Sequence, residues 1–179
     1  EPTNINIPGE AQGIVPSPAW KKEVTGEVWY PGDNYNYGIG QGYLLVSPLQ
    51  LAGSIAAISN GGRLYQPILV KEVRDNSNLA VSRDNPILKR ADIADPGVLK
   101  IVKDGMKKAC TLFVNLAGDT GCKTGSAEFG NDEVHGWFVA FAPWEKPEIV
   151  LSVLVEGGGH GSQVAAPITR PILQKYLKQ

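Results

Sequence analysis

The sequence has 179 residues, of which 42% are hydrophobic and 20% charged. That is enough for one domain with a real core, and it excludes both a disordered polar tract and a coiled coil. Seventeen Lys+Arg against eighteen Asp+Glu leave a formal charge of −1 with no basic block. Electrostatic binding of nucleic acid or of an anionic membrane is therefore not expected.

The longest apolar run, Ile149–Val155, is interrupted by Ser152 and is far too short to span a bilayer. Glu1 leads into Pro-rich sequence rather than a basic-then-apolar leader. The expectation is a processed chain or a piece of a longer one. Cys110 and Cys122 are the only cysteines, and they read first as two buried small apolar residues. A disulfide between them is the alternative in an oxidising compartment. His135 and His160 stand far apart in the sequence, and no Cys/His set has metal-ligand spacing, so no metal or other cofactor is expected.

Residues 1–43 are dense in Gly, Pro, Asn and Tyr and read as loop with a short strand or two. So long a stretch suggests a wrap over a core completed by other residues. The first helix is predicted from Ser47-Pro48, a hydroxyl cap followed by Pro in the first turn, to Asn60-Gly61-Gly62, with Leu51, Ile55 and Ile58 as its apolar stripe. Residues 64–73 carry Pro67 and form an edge hairpin at best, and 75–86 read as an exposed loop.

Asp95-Pro96 opens a second helix with Val98, Val102, Met106 and Ala109/Cys110 facing inward; Gly105 in its middle costs about 1 kcal/mol against Ala. Three strands follow at 121–128, 134–142 and 149–155. The short links at Asn131-Asp132 and 143–147 favour antiparallel pairing. The run 149–155 is apolar on both faces, as in a strand covered on both sides. A glycine-rich turn at 157–161 then leads into a last helix, whose predicted inward face is Ile168, Ile172, Leu173 and Tyr176. Pro171 fits that helix only within its first turn. Helices, then three antiparallel strands, then a helix packed on the sheet make an α+β fold.

Two glycine clusters fail as phosphate loops. Gly38-Ile39-Gly40-Gln41-Gly42 has Tyr43 where the dinucleotide fingerprint needs Gly, and residues 157–161 are not followed by Lys-Ser/Thr. Lys123-Thr124-Gly125-Ser126 is different. A Lys beside hydroxyls at a strand edge can hold a carboxylate through charge-assisted hydrogen bonds. Gly125 leaves room for a substrate backbone, and the Ser126 N–H is a natural oxyanion donor.

Around that motif stand Glu10-Ala11-Gln12-Gly13-Ile14-Val15-Pro16-Ser17-Pro18, Tyr37-Gly38-Ile39-Gly40-Gln41-Gly42 and Ser47-Pro48-Leu49-Gln50-Leu51-Ala52. Asn60-Gly61-Gly62, Gly136-Trp137-Phe138-Val139-Ala140-Phe141-Ala142-Pro143 and Val164-Ala165-Ala166-Pro167-Ile168 follow in order. Together they resemble the class B penicillin-binding proteins, the D,D-transpeptidases of cell-wall synthesis, and among them the elongation-type members. The resemblance runs from about residue 5 to the end.

It implies a serine β-lactamase/transpeptidase-like fold, of which residues 1–179 form the C-terminal portion of one transpeptidase domain, with the sheet incomplete. It implies a parent enzyme on the extracytoplasmic face of the bacterial membrane, held there by an N-terminal anchor outside these residues. Its partners would be peptidoglycan stem peptides and β-lactams. Lys123 and Ser126 take catalytic roles by resemblance, while Thr124, Gly125 and Ser126 bind substrate. Trp137 reads as sheet packing and His135 as a strand-end surface residue.

The family also uses Ser-x-x-Lys and Ser-x-Asn. No serine here has Lys three residues on, and none has Asn two residues on. The chain alone is therefore expected to be inactive, with a missing N-terminal half, or another copy, at the Ile149–Val155 edge. Rival readings are a catalytically empty scaffold, a β-lactam sensor or a β-lactamase. A second departure is the apolar stretch at 109–115, where the family is Gly-Thr-rich.

Overall fold

The computed structural model describes residues 2–113, 119–130 and 133–177. Five α-helices and seven strands are seen among them. At the centre lies a three-stranded antiparallel sheet made of β5 (Gly121–Phe129), β6 (Glu133–Ala142) and β7 (Ile149–Val155), in the order β5-β6-β7. The predicted strands and their antiparallel pairing hold to within a residue. The Asn131-Asp132 link lies outside the described residues.

The register sets the two faces. Cys122, Phe138, Ala140 and Leu151 share one face with Cys110 of α4 (Pro96–Phe113) and with Ala165, Ala166 and Leu173 of α5 (Gly161–Tyr176). Val139, Phe141 and Val150 share the other with Ile55, Leu51 and Ile58 of α3 (Pro48–Ser59) and with Met106 of α4. A period-2 strand thus feeds two cores at once, which explains the apolar character of β7 on both faces.

Capping fixes the helix starts as expected. Ser47 Oγ accepts from Gln50 N while the Gln50 side chain accepts from Ser47 N, closing a capping box with Pro48 behind it. Asp95 Oδ1 accepts from the backbone N–H groups of Gly97 and Val98 at the start of α4.

Several expectations are corrected. The first 43 residues are not all loop: α1 (Pro18–Thr25), capped by Ser17, and α2 (Pro31–Gly38) form there. Their short amphipathic turns are held by Lys21, a 2% exposed residue whose ammonium binds Asp33 at 2.8 Å. The segment read as an exposed loop contains β3 (Ala80–Arg83), which pairs with β2 (Glu72–Arg74) around an Asp75 turn, where Asp75 Oδ1 accepts from Ser77 N and Leu79 N. Glu72 ties the two strands by binding Arg83 of β3, and it also binds Arg74 on its own strand. β1 (Leu64–Tyr65) pairs with β4 (Leu88–Arg90) rather than with its neighbour.

In α4 the inward stripe is Leu99, Met106 and Cys110, with Val98 and Val102 exposed. In α5 it is Ala165, Ala166, Thr169 and Leu173, with Ile168, Ile172 and Tyr176 turned outward. Small residues let that helix lie close on the sheet, and closeness outweighs side-chain size in choosing the face. Pro167 and Pro171 lie inside α5, not in its first turn. Four residues apart, they share one exposed face of the helix. Cys110 and Cys122 are bonded to each other, not free apolar residues, and join the end of α4 to the start of β5.

Candidate functional site

A cavity of about 490 Å³ lies between β5, α3 and the segment 39–46. One wall is Lys123-Thr124-Gly125-Ser126-Ala127, with Trp137, Val139, His135 and Leu154 from the sheet beneath; the facing wall is Ile39, Gly40, Leu44, Leu45 and Val46. Leu45 is pinned by a two-way backbone bridge to Ile14 at 2.7 and 2.9 Å, and Gln50 Nε2 donates to the Gln12 carbonyl at 2.9 Å. A Cβ on Gly13 would run into the Leu45 carbonyl and the Gln50 amide, so the Glu10–Pro18 motif is spent on holding this wall.

The direction of the β5 backbone follows from hydrogen bonds on either side of it. The Val134 carbonyl accepts from Gly159, which lies beyond the end of β7. Even-numbered residues of β6 therefore aim their polar groups at β7, and odd-numbered ones at β5, because N–H and C=O of one residue point the same way in an antiparallel strand. Gly125 pairs with Trp137 and Ser126 with Gly136, so Ser126 and Thr124 direct both polar groups to the open side of β5. No strand of the described residues pairs there.

The outward carbonyls of Thr124 and Ser126 are occupied. Gln41 Nε2 donates to the Ser126 carbonyl at 3.1 Å, and Lys123 Nζ donates to the Thr124 carbonyl at 2.5 Å. With these two acceptors covered by side-chain donors, this part of the edge is biased toward hydrogen-bond donation along its amides, beside a lysine. Lys123 and Ser126 are exposed, while Thr124 and Gly125 are half-buried. A Cβ on Gly125 would stand 3.1 Å from Trp137 Cβ, so the glycine serves the packing of the strand as well as access.

The structure brings all four residues of the predicted motif to one edge, and it adds residues that sequence reasoning left aside. Gln41 sits between Gly40 (φ +77°) and Gly42 (φ +74°), a backbone that presents its side chain to β5. That pair of glycines around a polar residue is the available signal; in the sequence it counts only among the resemblance motifs, with no role for Gln41. Ser126 Oγ lies 3.2 Å from His160 Nδ1, a pairing that no spacing rule predicts. His135 is half-buried rather than a free surface residue. Its ring stacks on Phe129 at 3.7 Å and accepts from Gly157 N. Among the described residues no cluster of His, Cys, Asp and Glu could hold a metal, and no helix is long and apolar enough to cross a membrane.

Residues 1–174 match the family described as the penicillin binding protein transpeptidase domain. The peptidoglycan D,D-transpeptidase MrdA of Salmonella typhimurium is 31% identical over 97% of this chain and 32% of its own length. Penicillin-binding protein 2 of Helicobacter pylori superposes with a TM-score of 0.81 at 28% identity, over 99% of this chain and 33% of that one. Penicillin-binding protein A of M. tuberculosis, solved as a ceftriaxone acyl-enzyme complex, superposes with a TM-score of 0.72 at 30% identity, over 78% and 34%. The chain thus spans about a third of the length of the relatives it matches.

Proposed function

The chain belongs to the penicillin-binding protein transpeptidase family, and from that premise we propose that it supplies the Lys-Thr-Gly-Ser wall of a serine-type D,D-transpeptidase, as the C-terminal portion of one transpeptidase domain. The observation that carries this reading is the open β5 edge, where the Ser126 amide faces outward beside Lys123 and a pinned opposite wall. The fold is α+β with an incomplete sheet of the penicillin-binding type, like its structural relatives.

In the reaction, a serine hydroxyl adds to the penultimate D-Ala carbonyl of a stem pentapeptide. Its proton passes to a base, the C–N bond to the terminal D-Ala breaks, and that amine leaves protonated. The amine of a neighbouring stem then takes the acyl group and releases the serine. A β-lactam enters the first half and stays as the acyl-enzyme. In this chain the Ser126 N–H would donate to the oxyanion. The Thr124 and Ser126 hydroxyls would bind the ligand carboxylate, and Lys123 would add positive potential and assist proton transfer. Gly125 keeps the edge clear for the substrate backbone. The attacking serine and its base come from residues outside this stretch, since neither Ser-x-x-Lys nor Ser-x-Asn occurs within it. The Cys110–Cys122 disulfide fits an oxidising, extracytoplasmic location.

Incubation with a labelled penicillin followed by intact-mass spectrometry tests the reading. The full-length protein should gain one drug mass and the 179-residue chain none, while Lys123→Ala should slow acylation of the full-length protein by about 10²–10⁴-fold. An adduct on a serine of this chain alone would overturn the division of labour. A full-length protein that never reacts would favour the empty scaffold.

A further inference from the structure

The geometry points to His160 as a positioning residue that sets the direction of the Ser126 hydroxyl, and so makes the site selective for ligands carrying a free carboxylate. This rests on the reading of Ser126 given above.

The hydroxyl has one proton and His160 Nδ1 lies 3.2 Å from its oxygen. Two polarities exist. If Ser126 donates to an unprotonated Nδ1, its proton is used up and its lone pairs face the cleft. If a protonated Nδ1 donates to Ser126, the serine proton is free for the ligand. A carboxylate only accepts hydrogen bonds, so a carboxylate at Ser126 is compatible with the second polarity alone. A neutral ester, which places no full charge against those lone pairs, loses far less when the polarity is wrong.

The backbone that carries the ring is placed for this. His160 occupies the N-cap of α5, yet its side chain makes no capping bond. Ser, Thr, Asn and Asp cap better, so the position gives up local stability and keeps the imidazole for Ser126. The adjoining turn is fixed on every side. Gly159 N donates to the Val134 carbonyl at 3.0 Å, and the His160 carbonyl accepts from Gln163 and Val164. Gly161 lies so close over the Gly125 and Trp137 carbonyls that a Cβ there would overlap both. The His160 backbone is therefore held beside the β5 edge, within reach of Ser126.

The test compares acylation of the full-length protein by benzylpenicillin and by its methyl ester. His160→Ala should lower the second-order rate for the acid about tenfold, as for one hydrogen bond to a charged group, through weaker pre-covalent binding, and change the ester rate less than about twofold. His160→Asn, whose amide N–H can stand near the Nδ1 position, should restore most of the loss for the acid. In a Ser126→Ala background, His160→Ala should add no further loss, because it acts through the serine. Equal losses for acid and ester, no rescue by Asn, or an additive loss in the Ser126→Ala background would each overturn the assignment. If Ser126→Ala itself does not separate acid from ester, or the unmodified protein does not react, the reading of Ser126 fails and this inference with it. If Ser126→Ala does separate them and His160→Ala does not, only the inference fails.

Discussion

The Gln41 side-chain amide donates to the Ser126 carbonyl at 3.1 Å, joining residues 85 positions apart across the mouth of the cavity. The same strand edge carries the bond from Lys123 to the Thr124 carbonyl. Bare strand edges offer alternating donors and acceptors and pair with whatever strand arrives. Covering the Thr124 and Ser126 acceptors leaves their N–H groups as the free partners at this point of the edge, which suits an anionic ligand better than another strand.

Gln41→Ala should therefore weaken the site without unfolding the protein. One exposed side-chain hydrogen bond corresponds to about a two- to tenfold change in rate. Acylation of the full-length protein by a labelled β-lactam should fall within that range, with little change in melting temperature. An unchanged acylation rate would show that the Gln41 bond leaves the donor edge as it was.

Gly161→Ala tests how closely α5 must lie on the sheet. The added methyl group would overlap the carbonyls of Trp137 and Gly125, and these belong to strands that cannot give way singly. A loss of about 1–3 kcal/mol in denaturant unfolding is expected, as for other overpacked sites. Gly105→Ala, where a Cβ meets nothing within 4 Å in mid-helix, should instead stabilise by about 0.5–1 kcal/mol.

Much of this architecture was legible from local chemistry. Ser47-Pro48 and Asp95-Pro96 announced their helices because caps are short-range devices, and β5, β6 and β7 showed themselves by period and by short links. The helix faces were misjudged where the partner surface decides them. Ala165 and Ala166 win the inward side of α5 over Ile168 and Ile172 because the sheet lies close. The short helices of residues 1–43 were hidden because Lys21, a charged residue, is their anchor. Lys123 to Ser126 could be found in sequence because they are contiguous. His160 could not, because its partner Ser126 is 34 residues away and the pairing exists only once α5 docks.

The Lys21–Asp33 pair should give the protein a defined dependence on pH. The bond to Lys21, helped by the Tyr30 N–H, holds the Asp33 carboxyl below the ordinary carboxylate range. The bond to Asp33 raises the Lys21 ammonium above its usual value, and Tyr30 and Tyr43 face it at 4.8 and 5.6 Å. A lowered Asp33 contributes stability that is present above the unfolded carboxylate value and is lost as pH falls through the folded one. A raised Lys21 contributes stability that is complete below the unfolded lysine value and is lost as pH rises through the folded one. Asp33→Asn should therefore lower the denaturation midpoint at neutral pH, and the gap to the unmodified protein should close in acid. A gap that stayed constant down to about pH 2 would mean that shape, not charge, holds α1 to α2.

The last prediction concerns the free side of β7. Its odd-numbered residues direct their backbone groups at β6, by the same alternation that turns Ser126 outward, so Val150, Ser152 and Leu154 point theirs away from the sheet. Among the described residues no strand meets them, and the strand is half-buried along its whole length and apolar except at Ser152. Such an edge recruits a partner in water, either another segment of the same protein or a second copy. The 179-residue chain alone should show concentration-dependent self-association by light scattering. Proline is tolerated on an edge strand where its missing N–H would have faced solvent. Ser152→Pro should thus reduce association while keeping the fold, and it also removes a buried hydroxyl that has no partner among the described residues. Leu151→Pro, one position away, deletes an N–H aimed at Ala140 and should unfold the sheet instead. Equal effects from the two prolines would show that the alternation assigned here is wrong. A monomer at every concentration would show that the helices already shield this edge.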